Sequence, residues 1–354
     1  MNLGVLFPLG GSLKELEKHG QKKRFINYYL AAYQKNFQKI FVFSYPKFPH
    51  RYLYTFFLPF LNFKRIIQCD VLRVMQLTGV IPAIICKVLL KKPYVVTYGY
   101  DYEKFARIEG KKIFIPLLKI LEKTGISFSD TVIVTSEVIK NKLQKKYPTK
   151  QILLLPNSVD TRAFKPKPKT FNQKKINILF VGRLEKQKNL SNLILAISLS
   201  QFKKQIILSL IGRGTQAKKL KRLARDKDVK TKFITRVSYQ KMPQEFQKAD
   251  IFTLVSTLEG QPKVLIEALS CGLPTIASNI SSHQEIIKNK KNGILTEASP
   301  QTIASKIDCL VKDENLRKKL SQNARKTAFQ KFNIKKTILK EIKLLKNEQS
   351  LFLG

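Results

Sequence analysis

The tightest constraint on this chain is the order of short apolar runs in its second half. Ile176-Asn-Ile-Leu-Phe-Val181 stops at Gly182, Gln205-Ile-Ile-Leu-Ser-Leu-Ile211 stops at Gly212, and Ile251-Phe-Thr-Leu-Val255 stops at a polar loop. Runs of that length bounded by glycine and polar residues read as buried strands. Segments 190–199, 217–225 and 242–248 carry helical spacing between them. Another helix is predicted over 262–270, with Pro262 near its first turn and Gly272 just past its end. Strands are also predicted over 232–235 and 275–277. Such β-α-β-α alternation is the signature of a parallel, doubly wound sheet.

The first half repeats the style less cleanly. Strands are predicted over 3–7, 40–43, 71–75, 94–97 and 131–134, and helices over 22–36 and 82–90. A turn at Leu9-Gly10-Gly11-Ser12 follows the first strand. A chain of 354 residues exceeds what one hydrophobic core usually absorbs. Leu155-Pro-Asn-Ser-Val-Asp160 and the tract Lys165-Pro-Lys-Pro-Lys169 read as the connection. The expected organisation is an α/β domain over 1–164, a second over 165–334, and a basic amphipathic helix within 335–354. A ligand is expected in a cleft between the two domains.

The formal charge is +42, and basic residues outnumber acidic ones in both halves. Such a field draws polyanions: nucleic acid, anionic lipid or phosphorylated substrates. A general habit of Lys, Asn, Ile and Phe usage accounts for it equally well. A basic nucleic-acid- or membrane-surface-binding protein is one reading of such a field, yet the charge is diffuse and no nucleic-acid motif appears. Cys69, Cys86, Cys271 and Cys309 are scattered, which argues against a disulfide framework or a zinc site. His19, His50 and His283 are isolated and form no ligand cluster. No signal peptide is evident at the N-terminus, and the apolar stretch 52–63, broken by Pro59, is too short to cross a bilayer. A cytoplasmic protein, either soluble or lying on the inner face of the cytoplasmic membrane but not spanning it, is the expectation. Segment 104–121, which mixes lysines with bulky apolar residues, is one candidate for such attachment, with a core helix as the plain alternative.

Ligands of doubly wound sheets sit at the carboxyl ends of the strands. After 176–181 comes Gly182-Arg183-Leu-Glu-Lys-Gln-Lys188-Asn189, where glycine permits close backbone approach and Arg183 and Lys188 can converge on phosphate. Two solvated charges are the plain alternative. Gly212-Arg213-Gly214-Thr-Gln-Ala217 fits the dinucleotide fingerprint, but Arg236, not an acid, follows the next strand, so a nicotinamide or flavin enzyme is disfavoured. After 251–255 comes Glu259-Gly260-Gln-Pro262-Lys263-Val264, and then Glu267 inside the helix. The helix start offers backbone N–H groups to a phosphate. Two acids so spaced also suggest a glycosidase pair, but one precedes the helix while the other lies more than a turn inside it. Carboxylates contacting sugar and ribose hydroxyls fit better. A helix-start acid plus a partnered helical Glu is the bland reading.

Taken in order, Gly182-Arg-Leu…Lys188-Asn, Gly212-x-Gly214, Ala249-Asp-Ile…Ser256…Glu259-Gly…Glu267-Ala-Leu…Cys271-Gly-Leu-Pro, Glu285-Ile-Ile and Asn292-Gly resemble the retaining family 4 glycosyltransferases of the GT-B fold. Leu155-Pro-Asn157-x-Val-Asp160 resembles their interdomain segment, and Gly10-Gly11 their first glycine loop. The resemblance implies two doubly wound, Rossmann-like domains facing each other across a cleft. It also implies transfer from a nucleotide-diphosphate sugar with retention, without a metal or other cofactor. Catalytic roles fall on Glu259, which would hold a donor-sugar hydroxyl, and on Arg183 and Lys188, which would neutralise the diphosphate. Donor binding falls on Gly11, Gly182, Gly260, Pro262, Lys263, Val264 and Glu267. The implied partners are the nucleotide sugar and a lipid-linked or glycan acceptor of the cell envelope, at an anionic membrane surface, with no specific nucleic acid. The last helix would cross back onto the first domain. Asp226-Lys-Asp228 spells a metal motif of other glycosyltransferases but ends a basic helix and reads as surface. One departure stands out: Tyr98-Gly99-Tyr100-Asp101 occupies a place where many relatives have histidine.

Overall fold

Strands covered on both faces need near-continuous apolar runs, and two parallel sheets here are built from them. The computed structural model describes all residues except 10, 19, 46–50, 109, 169–174 and 351–354, so the expectations for Gly10, His19, His50 and Lys169 lie outside the described residues. Contacts divide the chain into two units: Met1–Pro156 with Lys335–Gly354, and Asn157–Ile334.

In the first unit the strands are β1 (Asn2–Leu6), β2 (Lys39–Phe43), β3 (Val71–Val74), β4 (Tyr94–Tyr98), β5 (Thr131–Val134) and β6 (Gln151–Leu154). They form one sheet in the order β2-β1-β3-β4-β5-β6, parallel throughout. Every residue of β3, β4 and β5 is buried. The predicted helix over 22–36 is present but contains a π turn at Phe25–Leu30 between Lys22–Arg24 and Ala31–Gln34. Helix Arg51–Leu61, helix Ile81–Leu90 and helix Ile115–Ser127 pack side by side. No helix of the described residues is long and apolar enough to cross a membrane.

Arg73 interrupts the apolar run of β3, and its partner explains how the last helix is held. Its Nε pairs with Glu341 of helix Ile334–Ser350 at 2.5 Å, and a second guanidinium nitrogen donates to Thr97 Oγ1 at 2.6 Å. Tyr33 donates its hydroxyl to the same carboxylate oxygen at 2.9 Å. Burial, and after it the Glu341 charge, pushes the Tyr33 phenol well above its ordinary value. Farther along the helix, Glu348 accepts from Thr131 Oγ1 of β5 at 2.5 Å. Two acids of a mostly basic helix thus hold it on the first unit.

The second unit contains β7 (Ile176–Val181), β8 (Ile206–Ile211), β9 (Thr231–Ile234), β10 (Ile251–Leu254), β11 (Thr275–Ser278) and β12 (Ile294–Thr296). Their order is β12-β11-β10-β7-β8-β9, again parallel. Strand β7 has β8 on one side and β10 on the other, so the strand order reverses there. A crevice at the carboxyl ends of strands flanking such a reversal is the general ligand position of this architecture.

The division of the chain falls at Pro156/Asn157, earlier than the expected 164/165. Hydrogen bonds explain the shift. Asn157 Nδ2 donates to the Gln261 carbonyl at 2.7 Å, Val159 bridges Asn333, and the Phe164 carbonyl accepts from Ser270 Oγ and Arg325. Proline and lysine content marks residues 165–168 as a connection by composition, but the segment before them is already fastened to the second unit.

Candidate active site

The loops after β7 and β8 are pressed backbone to backbone. A Cβ added to Gly212 would lie 1.8 Å from the Gly182 carbonyl oxygen, and one added to Gly214 would lie 2.3 Å from the Leu184 carbonyl oxygen. Leu184 N–H donates to the Arg213 carbonyl at 2.8 Å, and Gln216 N–H donates to the Leu184 carbonyl at 2.9 Å. Glycine is therefore needed at 212 and 214 for loop-to-loop packing. The fingerprint spacing there has a cause that requires no dinucleotide.

That packing sets the course of the first loop toward β10. Lys186–Lys188 forms a single 3₁₀ turn, and Asn189 leaves it at φ 56°, its Nδ2 donating to the Ala298 carbonyl at 3.0 Å. Thr257 N–H, in the loop after β10, donates to the Gln187 carbonyl at 2.8 Å. With the loops so tied, Lys188 Nζ meets Glu259 Oε1 at 2.5 Å although the residues are 71 apart in sequence. Ser256 Oγ donates to the same oxygen at 2.7 Å. Only 9% of the Glu259 side chain and 11% of the Lys188 side chain are exposed, so bulk water screens the pair little. Among the described residues no donor reaches Glu259 Oε2. Lys188 is thus a paired cation, and Arg183 is exposed on the same loop.

Helix Lys263–Ser270 begins at Pro262, whose φ −73° and ψ 113° are extended and whose side chain supplies no cap. A helix start without a side-chain cap offers its first backbone N–H groups to an anion. Gln261 fixes the approach: its side-chain and backbone carbonyls accept from Asn157 N–H and Nδ2. Lys263 is exposed, Val264 half-buried, and Glu267 buried within the helix. Gly260 stands between Glu259 and this helix start, and Gly182 opens the loop after β7. Gly11 belongs to the first unit, where its N–H donates to the Pro8 carbonyl at 2.6 Å. At the expected surface sequence Asp226-Lys-Asp228, Asp226 lies near Arg222 and Arg225, and Asp228 pairs with Lys203.

His283 is not isolated, contrary to its appearance in the sequence. It is fully buried, with Nδ1 2.9 Å from the Ser278 carbonyl and 3.1 Å from Ser278 Oγ. Ser278 Oγ donates in turn to the Ser256 carbonyl at 2.5 Å. Burial lowers the imidazole's pKa below 6.5, while Glu259 raises it and Lys188 lowers it. A proton on Nδ1 satisfies the Ser278 carbonyl and leaves Nε2 as an acceptor, which has no partner among the described residues. Gln261, Ser278 and His283 are the residues that sequence reasoning missed here. Only the quoted Asn157 hinted at Gln261, and nothing in the sequence marked His283.

A family model described as glycosyltransferase family 4 matches residues 15–163, and one described as glycosyl transferases group 1 matches residues 161–327. The chain belongs to the family 4 glycosyltransferases. This glycosyltransferase is similar to N-acetyl-alpha-D-glucosaminyl L-malate synthase of Bacillus anthracis, 23% identical over 77% of this chain and 74% of the relative. It is 30% identical to the UDP-Gal:alpha-D-GlcNAc-diphosphoundecaprenol alpha-1,3-galactosyltransferase of Escherichia coli, over 53% of this chain and 52% of that enzyme. The matched stretches thus range from about half to about three quarters of the relatives' lengths. Sucrose-phosphate synthase from Thermosynechococcus elongatus shares the fold at a TM-score of 0.77, with 16% identity and 98% of each chain covered. The glycosyltransferase accordingly has the GT-B fold, an α/β architecture with two doubly wound, Rossmann-like sheets.

Proposed function

We propose that this glycosyltransferase moves a sugar from a nucleoside-diphosphate sugar to an acceptor hydroxyl, with retention of anomeric configuration and without a metal ion. The observation that carries this reading is the Lys188–Glu259–Ser256 arrangement beside a helix start without a side-chain cap, at the reversal of strand order. Lys188 and Ser256 both engage Oε1 and thereby orient the carboxylate, so Oε2 is the oxygen that accepts from a hydroxyl of the donor sugar. Negative charge grows on the diphosphate as its bond to the sugar breaks. Arg183, Lys188 and the N–H groups at the start of helix Lys263–Ser270 oppose that charge from fixed positions, the usual source of large rate effects. Glu267 takes the ribose hydroxyls, and Gly182 and Gly260 let the backbone approach.

The acceptor is a lipid-linked or other envelope glycan, met at the cytoplasmic face of an anionic membrane. The Escherichia coli relative, whose name gives a UDP-sugar donor and a diphosphoundecaprenol acceptor, supports that choice. A panel of UDP-, GDP- and ADP-sugars tests the donor by thermal shift. One nucleotide class should raise the melting temperature, chelator should leave that shift intact, and NMR of the product should show the donor's anomeric configuration kept. Failure of every nucleotide sugar to stabilise the protein would remove the proposal.

A further inference from the structure

A surface helix of a water-soluble domain ordinarily turns a polar face outward. Helix Arg51–Leu61 does the reverse. Thr55 and Leu58 face inward, 2% and 0% exposed, while Leu53, Phe56, Phe57, Phe60 and Leu61 face solvent, followed by Phe63. Leu53 and Leu61 are each 66% exposed. Beside it, helix Ile81–Leu90 exposes Val88 and Leu89. Next in the same layer, helix Ile115–Ser127 exposes Leu117 and Ile120, and the preceding 3₁₀ turn Lys112–Phe114 exposes Ile113 at 85%. Exposed apolar side chains on three neighbouring helices mark an interaction surface.

Charge selects what covers it. Lys64 and Arg65, Lys91, and Lys112, Lys119 and Lys123 are exposed at or beside these apolar residues. Residues 51–69 contain no acidic side chain. Bulky apolar groups that enter an interface, bordered by cations that meet anionic headgroups, are what binds a protein to an anionic bilayer. A second copy of the chain would bring the same exposed lysines and arginine to this face and a whole-chain charge of +42, which opposes self-association.

We propose that the outer face of helices Arg51–Leu61, Ile81–Leu90 and Ile115–Ser127 docks on an anionic lipid bilayer, with Leu53, Phe56, Phe57 and Phe60 entering the headgroup boundary. This deepens the reading of a lipid-linked acceptor and rests on it for the place where the enzyme works. It also moves the main apolar contact from segment 104–121, which the sequence suggested, to the aromatic helix before β3.

The chain has no tryptophan, so a single introduced one reports on its own surroundings. Phe57→Trp and Leu199→Trp, the latter on the second unit and also exposed, are titrated with vesicles of phosphatidylcholine alone or with about one third phosphatidylglycerol. Phe57→Trp emission should shift to the blue with anionic vesicles only and be quenched by brominated acyl chains, while Leu199→Trp stays unchanged. Replacing Phe56 and Phe60 by serine in the Phe57→Trp chain should weaken vesicle binding at least about tenfold. Nucleotide-sugar hydrolysis is followed in the same samples. Equal response to neutral vesicles, no response in a chain that still hydrolyses donor, or a blue-shifted emission without lipid accompanied by a dimer in sedimentation would each overturn the docking face. Insertion without donor hydrolysis would uphold the face and count against the donor site proposed above.

Discussion

Lys188 and Glu259 form a buried pair in a chain where most cations are exposed, and this makes their roles separable. Removing one partner of such a pair leaves an uncompensated buried charge and costs about 3–5 kcal/mol. Lys188→Met and Glu259→Leu should each lower the urea midpoint, and the double variant should recover most of that loss. Activity should not return with stability, because Glu259 Oε2 is the group assigned to the donor. Recovery of turnover in the double variant would show the pair to be structural only. His283 gives a second residue-scale prediction through pH. Burial holds its folded-state pKa below 6.5, so the unfolded chain binds a proton that the folded chain refuses. Its contribution is complete above pH 6.5 and is lost as pH falls below that value toward the folded pKa. Thermal melts between neutral pH and about pH 5 should flatten in His283→Gln relative to the native chain. Residue types were legible here and pairings were not. Glu259 and Lys188 stood out by motif, but their contact depends on β7 lying beside β10. The placement of His283 depends on the short helix Ser281–Gln284 after β11, which a lone histidine in sequence does not announce.

Loops and helices carry the next set of constraints. Gly212→Ala would force a Cβ into the Gly182 carbonyl, so it should destabilise the second unit by about 2–4 kcal/mol. Gly110→Ala is the control, since its φ is +73° but nothing lies within 4 Å; it should cost only about 1–2 kcal/mol of backbone strain. Both are read from urea unfolding. Helix Ile334–Ser350 is held by Glu341, and Glu341→Ala would leave Arg73 buried without its carboxylate, at a cost of about 3–5 kcal/mol. The sheet strands were legible because parallel strands buried on both faces are written as apolar runs between glycines and polar loops. Strands β6 and β12 escaped notice, one partly exposed at the sheet edge and the other only Ile294–Thr296 long. The aromatic run 52–63 showed its apolar character in sequence. Its outward face appeared only once Thr55 and Leu58 were seen to turn inward.

Over the whole molecule, the donor site proposed for the second unit and the lipid-facing layer proposed for the first are separately testable. Under the docking proposal the charge of +42 acts at long range, so vesicle binding should weaken as salt rises past physiological strength, where fields beyond about 8 Å are screened. Donor chemistry at the buried Lys188–Glu259 pair should change far less over the same salt range. The most direct measurement follows nucleotide release from UDP-, GDP- and ADP-sugars by the full chain, with Glu259→Ala alongside. One nucleotide class should be turned over, and the substitution should cut that turnover at least about 100-fold while nucleotide binding persists. No turnover of any nucleotide sugar, or turnover unchanged in Glu259→Ala, would contradict the donor site described here.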